Sequence, residues 1–158
     1  MFDFLKKKDK GIEIGAPVKG KAVPISQVSD PTFGEEILGK GVAIQPADGK
    51  IYAPADGTIE MLFDTKHAVS MTTTEGVELL VHIGLDTLKG EHFTAHKGNG
   101  DAVKKGDLLI SVDLEAVKAA GYDVITPMVV CNTSDYQTVE AVTGSDVNPG
   151  DTVLILKK

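Results

Sequence analysis

Short apolar runs, each broken after a few residues by glycine, proline or a polar turn, set the tightest limit on what this chain can fold into. VKGKAV, VAIQ, GKIYA, GTIEMLF, HAVSMTTT, VELLVHI, DLLISV, DVITPMVV, TVEAV and DTVLIL follow one another between turn signals, with 17 Gly and 7 Pro spread along the 158 residues. Runs of this length and spacing describe an all-β chain, an antiparallel β-sandwich or flattened barrel. Two short helical segments interrupt them. DPTFGEEILG has Asp30 as N-cap, Pro31 at the first helical position and Gly39 past the end; DLEAVKAAG is capped by Asp113 and stopped by Gly121. An internal duplication is also visible, because GDAVKKGDLLI from Gly100 and GSDVNPGDTVLI from Gly144 share G-x-x-V-x-x-G-D before an aliphatic strand.

A core built from such runs must be aliphatic, since aromatics make up 5% of the chain and Trp is absent. The length suits one domain. We expect a flexible tail over residues 1–17 and a single domain over 18–158. The formal charge of -7 argues against nucleic acid or anionic lipid as a general partner, because both require a basic surface. Cys131 is the single cysteine, which rules out a disulfide framework and fits a reducing, cytoplasmic setting with the thiol buried as a small hydrophobe. No apolar run approaches the roughly 20 residues of a transmembrane helix. The opening MFDFLKKKDK is too short for a secretory signal and reads as a solvated tail, with a weak membrane-surface contact as the other reading.

Within VELLVHIGLDT, Val77, Leu79, Val81 and Ile83 share one strand face, while Glu78, Leu80 and His82 share the other. A two-residue loop at Glu75-Gly76 would set Val69 opposite His82, Met71 opposite Leu80 and His67 opposite Gly84. His67 and His82 would then be diagonal neighbours on one face, about 7 to 8 Å apart at their backbones. A three-residue loop would destroy that parity by turning one strand over. Val69, Met71 and Leu80, extended by Phe63 and Phe33, would surround the pair with apolar surface. Two such imidazoles suit a metal site or the handling of a proton or phosphoryl group near neutral pH, the plainer reading being two surface strand histidines.

Competing motifs are weaker. His92 and His96 have helical i, i+4 spacing but lack the glutamate of H-E-x-x-H and are flanked by glycine. GxxxxGK[ST] and GxSxG are both missing, so nucleotide-driven chemistry and an esterase nucleophile have no seat.

KHAVSMTTTEGVELLVHIGLDTLKGEHF closely resembles the active-site signature of the IIA domain of the glucose family of the bacterial sugar phosphotransferase system. APADGTIEMLFDTKHA and DPTFGEEILGKGVAI are similar to other segments of that family, so the resemblance runs from about Val18 to Lys158. It implies a free-standing β-sandwich phosphocarrier that accepts a phosphoryl group from the phosphocarrier protein HPr and passes it to the IIB domain of a sugar permease, with regulatory targets for the unphosphorylated form. The acceptor histidine maps onto His82, with Nε2 as nucleophile, and the second active-site histidine onto His67. The resemblance further implies a hydrogen bond from His82 Nδ1 to the carbonyl of Gly84 and one between His67 Nδ1 and Thr65. A rim of Phe33, Ile37, Phe63, Val69, Leu80 and Leu88, with Asp30 and Asp86 as acidic contacts, would meet the partners. Relatives often carry more Phe on this rim, where Val69 and Leu80 stand here.

No cofactor is required for that transfer, although His67 and His82 supply two of the four positions of a zinc site. A zinc peptidase would need an H-x-H element that is missing. A biotinyl or lipoyl carrier is suggested by APADGTI, yet lacks the lysine between methionines at a hairpin tip. The sequence names no sugar.

Overall fold

The computed structural model describes residues 11–63, 65–85 and 92–158. Their strands are β1 (Ile12–Gly15), β2 (Gly20–Pro24), β3 (Lys40–Pro46), β4 (Lys50–Tyr52), β5 (Gly57–Leu62), β6 (Ala68–Thr73), β7 (Glu78–His82), β8 (Phe93–Ala95), β9 (Ala102–Val103), β10 (Leu108–Val112), β11 (Thr126–Val130), β12 (Thr138–Ala141), β13 (Asp146–Val147) and β14 (Thr152–Lys157). All pairings are antiparallel. One sheet has eight strands in the order β13-β2-β3-β11-β7-β6-β5-β9; two three-stranded sheets run β1-β14-β12 and β4-β10-β8. The large sheet stays open, so the architecture is a sandwich and not a closed barrel.

Alternation along the strands builds the core. Val42, Ile44, Val69, Met71, Leu79, Val81, Met128 and Val130 leave the large sheet on one face and meet Ile14, Leu154 and Leu156 from one small sheet and Ile51, Leu109 and Ile110 from the other. Burying each such side chain contributes about 1.5–3 kcal/mol relative to exposure. The opposite face of the large sheet holds a second, smaller cluster. The connection between β2 and β3 arches over it, seating Ile25, Val28 and Phe33 on Val23, Ala43, Ile125 and Val129, with Leu80 packed at its edge.

The expected duplication extends to the whole topology. The eight-stranded order reads the same from either end if β13 is matched with β9, β2 with β5, β3 with β6 and β11 with β7. The two small sheets match in the same way. The Gly-Asp corners are equivalent in detail: Gly106 and Gly150 have φ of 95° and 93°, and their N–H groups donate to the carbonyls of Ala53 and Ala16 at 2.9 and 3.0 Å. In each corner the aspartate three residues on accepts a backbone N–H, Asp107 from Lys104 and Asp151 from Asn148.

Three expectations need correction. The folded body includes β1, ahead of Val18, because Ile12–Gly15 pairs with β14 and Ile14 is fully buried; residues 1–10 lie outside the described residues. The first helical segment is one turn, Pro31–Gly34, with Asp30 accepting from Thr32 N–H at 2.9 Å, and it ends where Glu36 turns left-handed at φ 60°. The second, Leu114–Ala119, forms as expected under Asp113. Cys131 is exposed, not buried. Desolvation first and the Glu78 carboxylate second push its thiol pKa up, which keeps it protonated and poorly nucleophilic.

Candidate functional site

The β6–β7 hairpin carries the site, and its register differs from the expected one. Ala68 lies opposite His82, Val69 opposite Val81, Ser70 opposite Leu80 and Met71 opposite Leu79. The loop therefore has three residues, Thr74, Glu75 and Gly76, closed by Thr73 N–H to Val77 carbonyl at 2.9 Å. Gly76, at φ 90°, supplies the left-handed residue that three-residue hairpin loops use. A residue far along the chain holds this register. Asn132 accepts the Glu78 N–H at 2.9 Å and donates to the Gly76 carbonyl at 3.0 Å.

The odd slip turns β6 over, as strand parity requires. Val69 and Met71 go into the main core, 2% and 3% exposed, so neither lines the histidines and Val69 is removed from the partner-facing rim. His82 stays on the outer face with Leu80.

The two histidines nevertheless meet, by a route that strand alternation does not describe. His67 lies just before β6, after Lys66 at φ 60°, a left-handed conformation uncommon for lysine. Its carbonyl accepts the Ile83 N–H at 2.6 Å, which ties the segment to the end of β7. The His67 and His82 rings then stand 4.9 Å apart between centroids, edge to face at 72°.

Each ring is held through Nδ1. His82 Nδ1 lies 2.6 Å from the Gly84 carbonyl oxygen. A carbonyl only accepts, so Nδ1 carries a proton, and in the neutral ring the lone pair is on Nε2. Gly84 reaches this position at φ 75°, where a side chain is strained. His67 Nδ1 is hydrogen-bonded to the Thr65 hydroxyl. Burial, with the nearby His82 second, holds His67 below the ordinary histidine pKa. His67 is therefore neutral at neutral pH, and its ring can present an N–H to an incoming oxygen.

Phe33 packs on His82 at 5.1 Å and Phe63 on His67 at 5.7 Å. Phe33 is 4% exposed, so it is not part of an open patch. The arch over the outer face turns it inward. Leu80 and Phe63 are half-buried, and Ile37 stands out at 69% exposure. Three exposed apolar residues were not picked out by sequence reasoning: Leu38, next to Ile37, Met61, whose partner Ser70 pairs with Leu80, and Val142, just after β12. Their period matched a buried strand and a helix end, which gave no signal of exposure. Asp30 is half-buried with one carboxylate oxygen engaged in its cap. Asp86 and Leu88 lie outside the described residues. His96 hydrogen-bonds Ser111 at 2.8 Å on the small sheet. Among the described residues no group of three or more His, Cys, Asp or Glu is arranged to hold a metal ion, which gives the zinc-peptidase reading no support. No helix among them is long and apolar enough to cross a membrane.

Comparison with known proteins finds a matching family, similar relatives and a solved structure of similar fold. Residues 12–136 match the family described as phosphoenolpyruvate-dependent sugar phosphotransferase system, EIIA 1. The glucose-specific EIIA component of the phosphotransferase system of Haemophilus influenzae is 42% identical over 160 residues, covering 100% of this chain and 96% of that protein. The beta-glucoside-specific EIIBCA component of Bacillus subtilis is 46% identical over 145 residues; the match covers 90% of this chain and 24% of that longer protein. Among solved structures, glucose permease IIA from Mycoplasma capricolum superposes with a TM-score of 0.87 at 37% identity, covering 94% of this chain and 97% of that one.

Proposed function

The chain belongs to the EIIA 1 family of the phosphoenolpyruvate-dependent sugar phosphotransferase system, as a phosphoryl-carrying component, and we propose that Nε2 of His82 is the atom that carries the phosphoryl group. The observation behind this is the fixed tautomer: Nδ1 is committed to the Gly84 carbonyl, so the nucleophilic lone pair is on Nε2, beside a second imidazole. The donor is phosphorylated HPr. As the Nε2–P bond forms, the donor's N–P bond breaks and its imidazole leaves with the electron pair. The His82 ring becomes a phosphorylated imidazolium. Its Nδ1–H bond to Gly84 is then charge-assisted and roughly twice as strong.

His67 supplies charge stabilisation. A neutral imidazole donating from Nε2 serves a transfer in which charge spreads over the phosphoryl oxygens. Onward transfer reverses the bond changes, with the cytoplasmic IIB domain of a sugar permease as acceptor. Ile37, Leu38 and Met61, with half-buried Phe63 and Leu80, form the apolar contact for both partners, and Asp30 supplies acidic character at its rim. Apolar centres with charged rims suit transient docking.

A tetrahedral zinc ion would need the Nε2 lone pair of both rings, so His67 would have to move its proton to Nδ1 and donate it to the Thr65 hydroxyl, a partner's carboxylate or water completing the shell. Phosphorylation of His82 uses the lone pair such an ion would need, so zinc and phosphate exclude each other.

Incubation with phosphoenolpyruvate, enzyme I and HPr tests the reading. An acid-labile, base-stable phosphate on the wild type and none on His82→Gln is the expected result; a normally phosphorylated His82→Gln protein ends the assignment.

A further inference from the structure

Four rings contact one another in sequence: Phe33, His82, His67 and Phe63. Successive centroids are 5.1, 4.9 and 5.7 Å apart, with planes inclined at 54°, 72° and 59°. The two phenyl rings come from equivalent places in the duplicated fold, Phe33 from the β2–β3 connection and Phe63 from the β5–β6 connection. The connections differ in length, fifteen residues from Ile25 to Gly39 against five from Phe63 to His67, and the longer one crosses the outer face to reach His82.

We propose that Phe33 is a positioning residue for phosphoryl transfer: it fixes the plane of the His82 imidazole from within the fold and is not an anchor for a docking partner. Its burial argues for this, since a ring 4% exposed has almost no face left to offer. Its mounting is rigid. Asp30 caps the turn that carries it, and Gly34 sits so close to the Val28 carbonyl that a Cβ would come within 2.3 Å of the oxygen. Lys40 N–H and the Val130 carbonyl both bond the Thr133 hydroxyl, at 3.0 and 2.6 Å, closing the far end of the arch on β11.

The need for such a support follows from imidazole geometry. The torsion that turns the ring about Cβ–Cγ has a broad, shallow minimum. The hydrogen bond at Nδ1 fixes a point on the ring, and the ring contacts from His67 and Phe33 act on its plane. In-line attack tolerates errors of about 10–20°. A tilted aromatic contact selects among planes because the edge of one ring prefers the face of the other.

This rests on His82 as the acceptor, and the test separates the two claims. Phosphorylation is followed with two donors, phosphorylated HPr and phosphoramidate, in wild type, Phe33→Ala, Phe33→Leu and His82→Gln. Phosphoramidate has no docking surface; its P–N bond breaks as the Nε2–P bond forms, and ammonia leaves. With both donors, Phe33→Ala is expected to slow the maximal rate by roughly 3- to 10-fold while the half-saturating concentration of HPr stays near the wild-type value. Phe33→Leu, which keeps apolar bulk without the ring's directional edge, is expected to fall between. Histidine-ring NMR should show the His82 proton shifts moving in both variants. A higher half-saturating HPr concentration with an unchanged phosphoramidate rate would make Phe33 a docking residue and overturn the proposal. Wild-type rates with both donors would do the same. If Phe33→Ala does not fold, Phe33→Leu decides by the same two criteria. Phosphorylation of His82→Gln would instead sink the acceptor assignment itself.

Discussion

Replacing Gly84 by alanine puts a side chain on a residue held at φ 75°, whose carbonyl fixes the His82 tautomer. A left-handed conformation costs an L-residue roughly 1–2 kcal/mol. The chain has two ways to respond. If the backbone holds, the strain appears as a loss of about 1–2 kcal/mol in folding stability, and phosphorylation is little changed. If it relaxes, the carbonyl leaves Nδ1. The tether is a neutral hydrogen bond worth about 0.5–1.5 kcal/mol before transfer and a charge-assisted one worth about 1.5–3 kcal/mol after it. The difference, about 1 kcal/mol, favours the phosphorylated state, so its loss shifts the phosphoryl equilibrium toward HPr by roughly 5-fold. Urea unfolding measures the first quantity, and the equilibrium between phosphorylated HPr and the variant measures the second. Gly76→Ala is the control: Gly76 has φ 90° in open space away from the histidines, so stability should fall and the equilibrium should not move. A Gly84→Ala protein with unchanged stability and unchanged equilibrium would refute the reasoning.

Other residues give separate tests. Lys66→Asn should raise stability by up to about 1 kcal/mol, since asparagine tolerates φ 60° better than lysine; thermal unfolding reads it. Asn132→Ala should destabilise by about 1–2 kcal/mol through loss of the hydrogen bonds to Gly76 and Glu78, with His82 still phosphorylated at near wild-type extent. Because the folded pKa of His67 lies below its ordinary 6.5, the unfolded chain binds the proton more readily, so this residue favours unfolding as pH falls through 6.5 toward the lowered value. Stability of the wild type should therefore drop more steeply over that window than stability of His67→Gln. Ile37→Glu should weaken HPr binding in a titration while leaving the circular dichroism spectrum unchanged, since the side chain is mostly in solvent.

Much of the fold was legible because its signals are local. Alternating aliphatics marked most of the strands, and the repeated Gly-Asp corners disclosed a duplication that organises all three sheets. The hairpin register was not legible. Glu75-Gly76 is a weak turn signal, and the choice of a three-residue loop is reinforced by Asn132, which lies 56 residues from Gly76. That shift moved Val69 from the presumed rim into the core. Phe33 was misjudged for a related reason: its burial depends on the arch folding across β11, a contact no local pattern encodes. β1 was missed because IEIG acquires its strand character by pairing with β14 at the other end of the chain. The histidine pair followed from strand parity on an assumed two-residue loop, and the family resemblance then assigned its roles; the pairing holds, but the true register gives it a different route. Left-handed Lys66 brings the rings together, and nothing in TKHA announces a positive φ.

Nitrogen NMR on isotope-labelled histidine, recorded after phosphorylation by phosphoenolpyruvate, enzyme I and HPr, tests the central claim most directly, because it reports which nitrogen of which ring bears phosphorus. Phosphorus on Nε2 of His82, with Nδ1 still protonated and bonded to Gly84, is the predicted result. Phosphorus on Nδ1 of His82, or on either nitrogen of His67, would contradict the account.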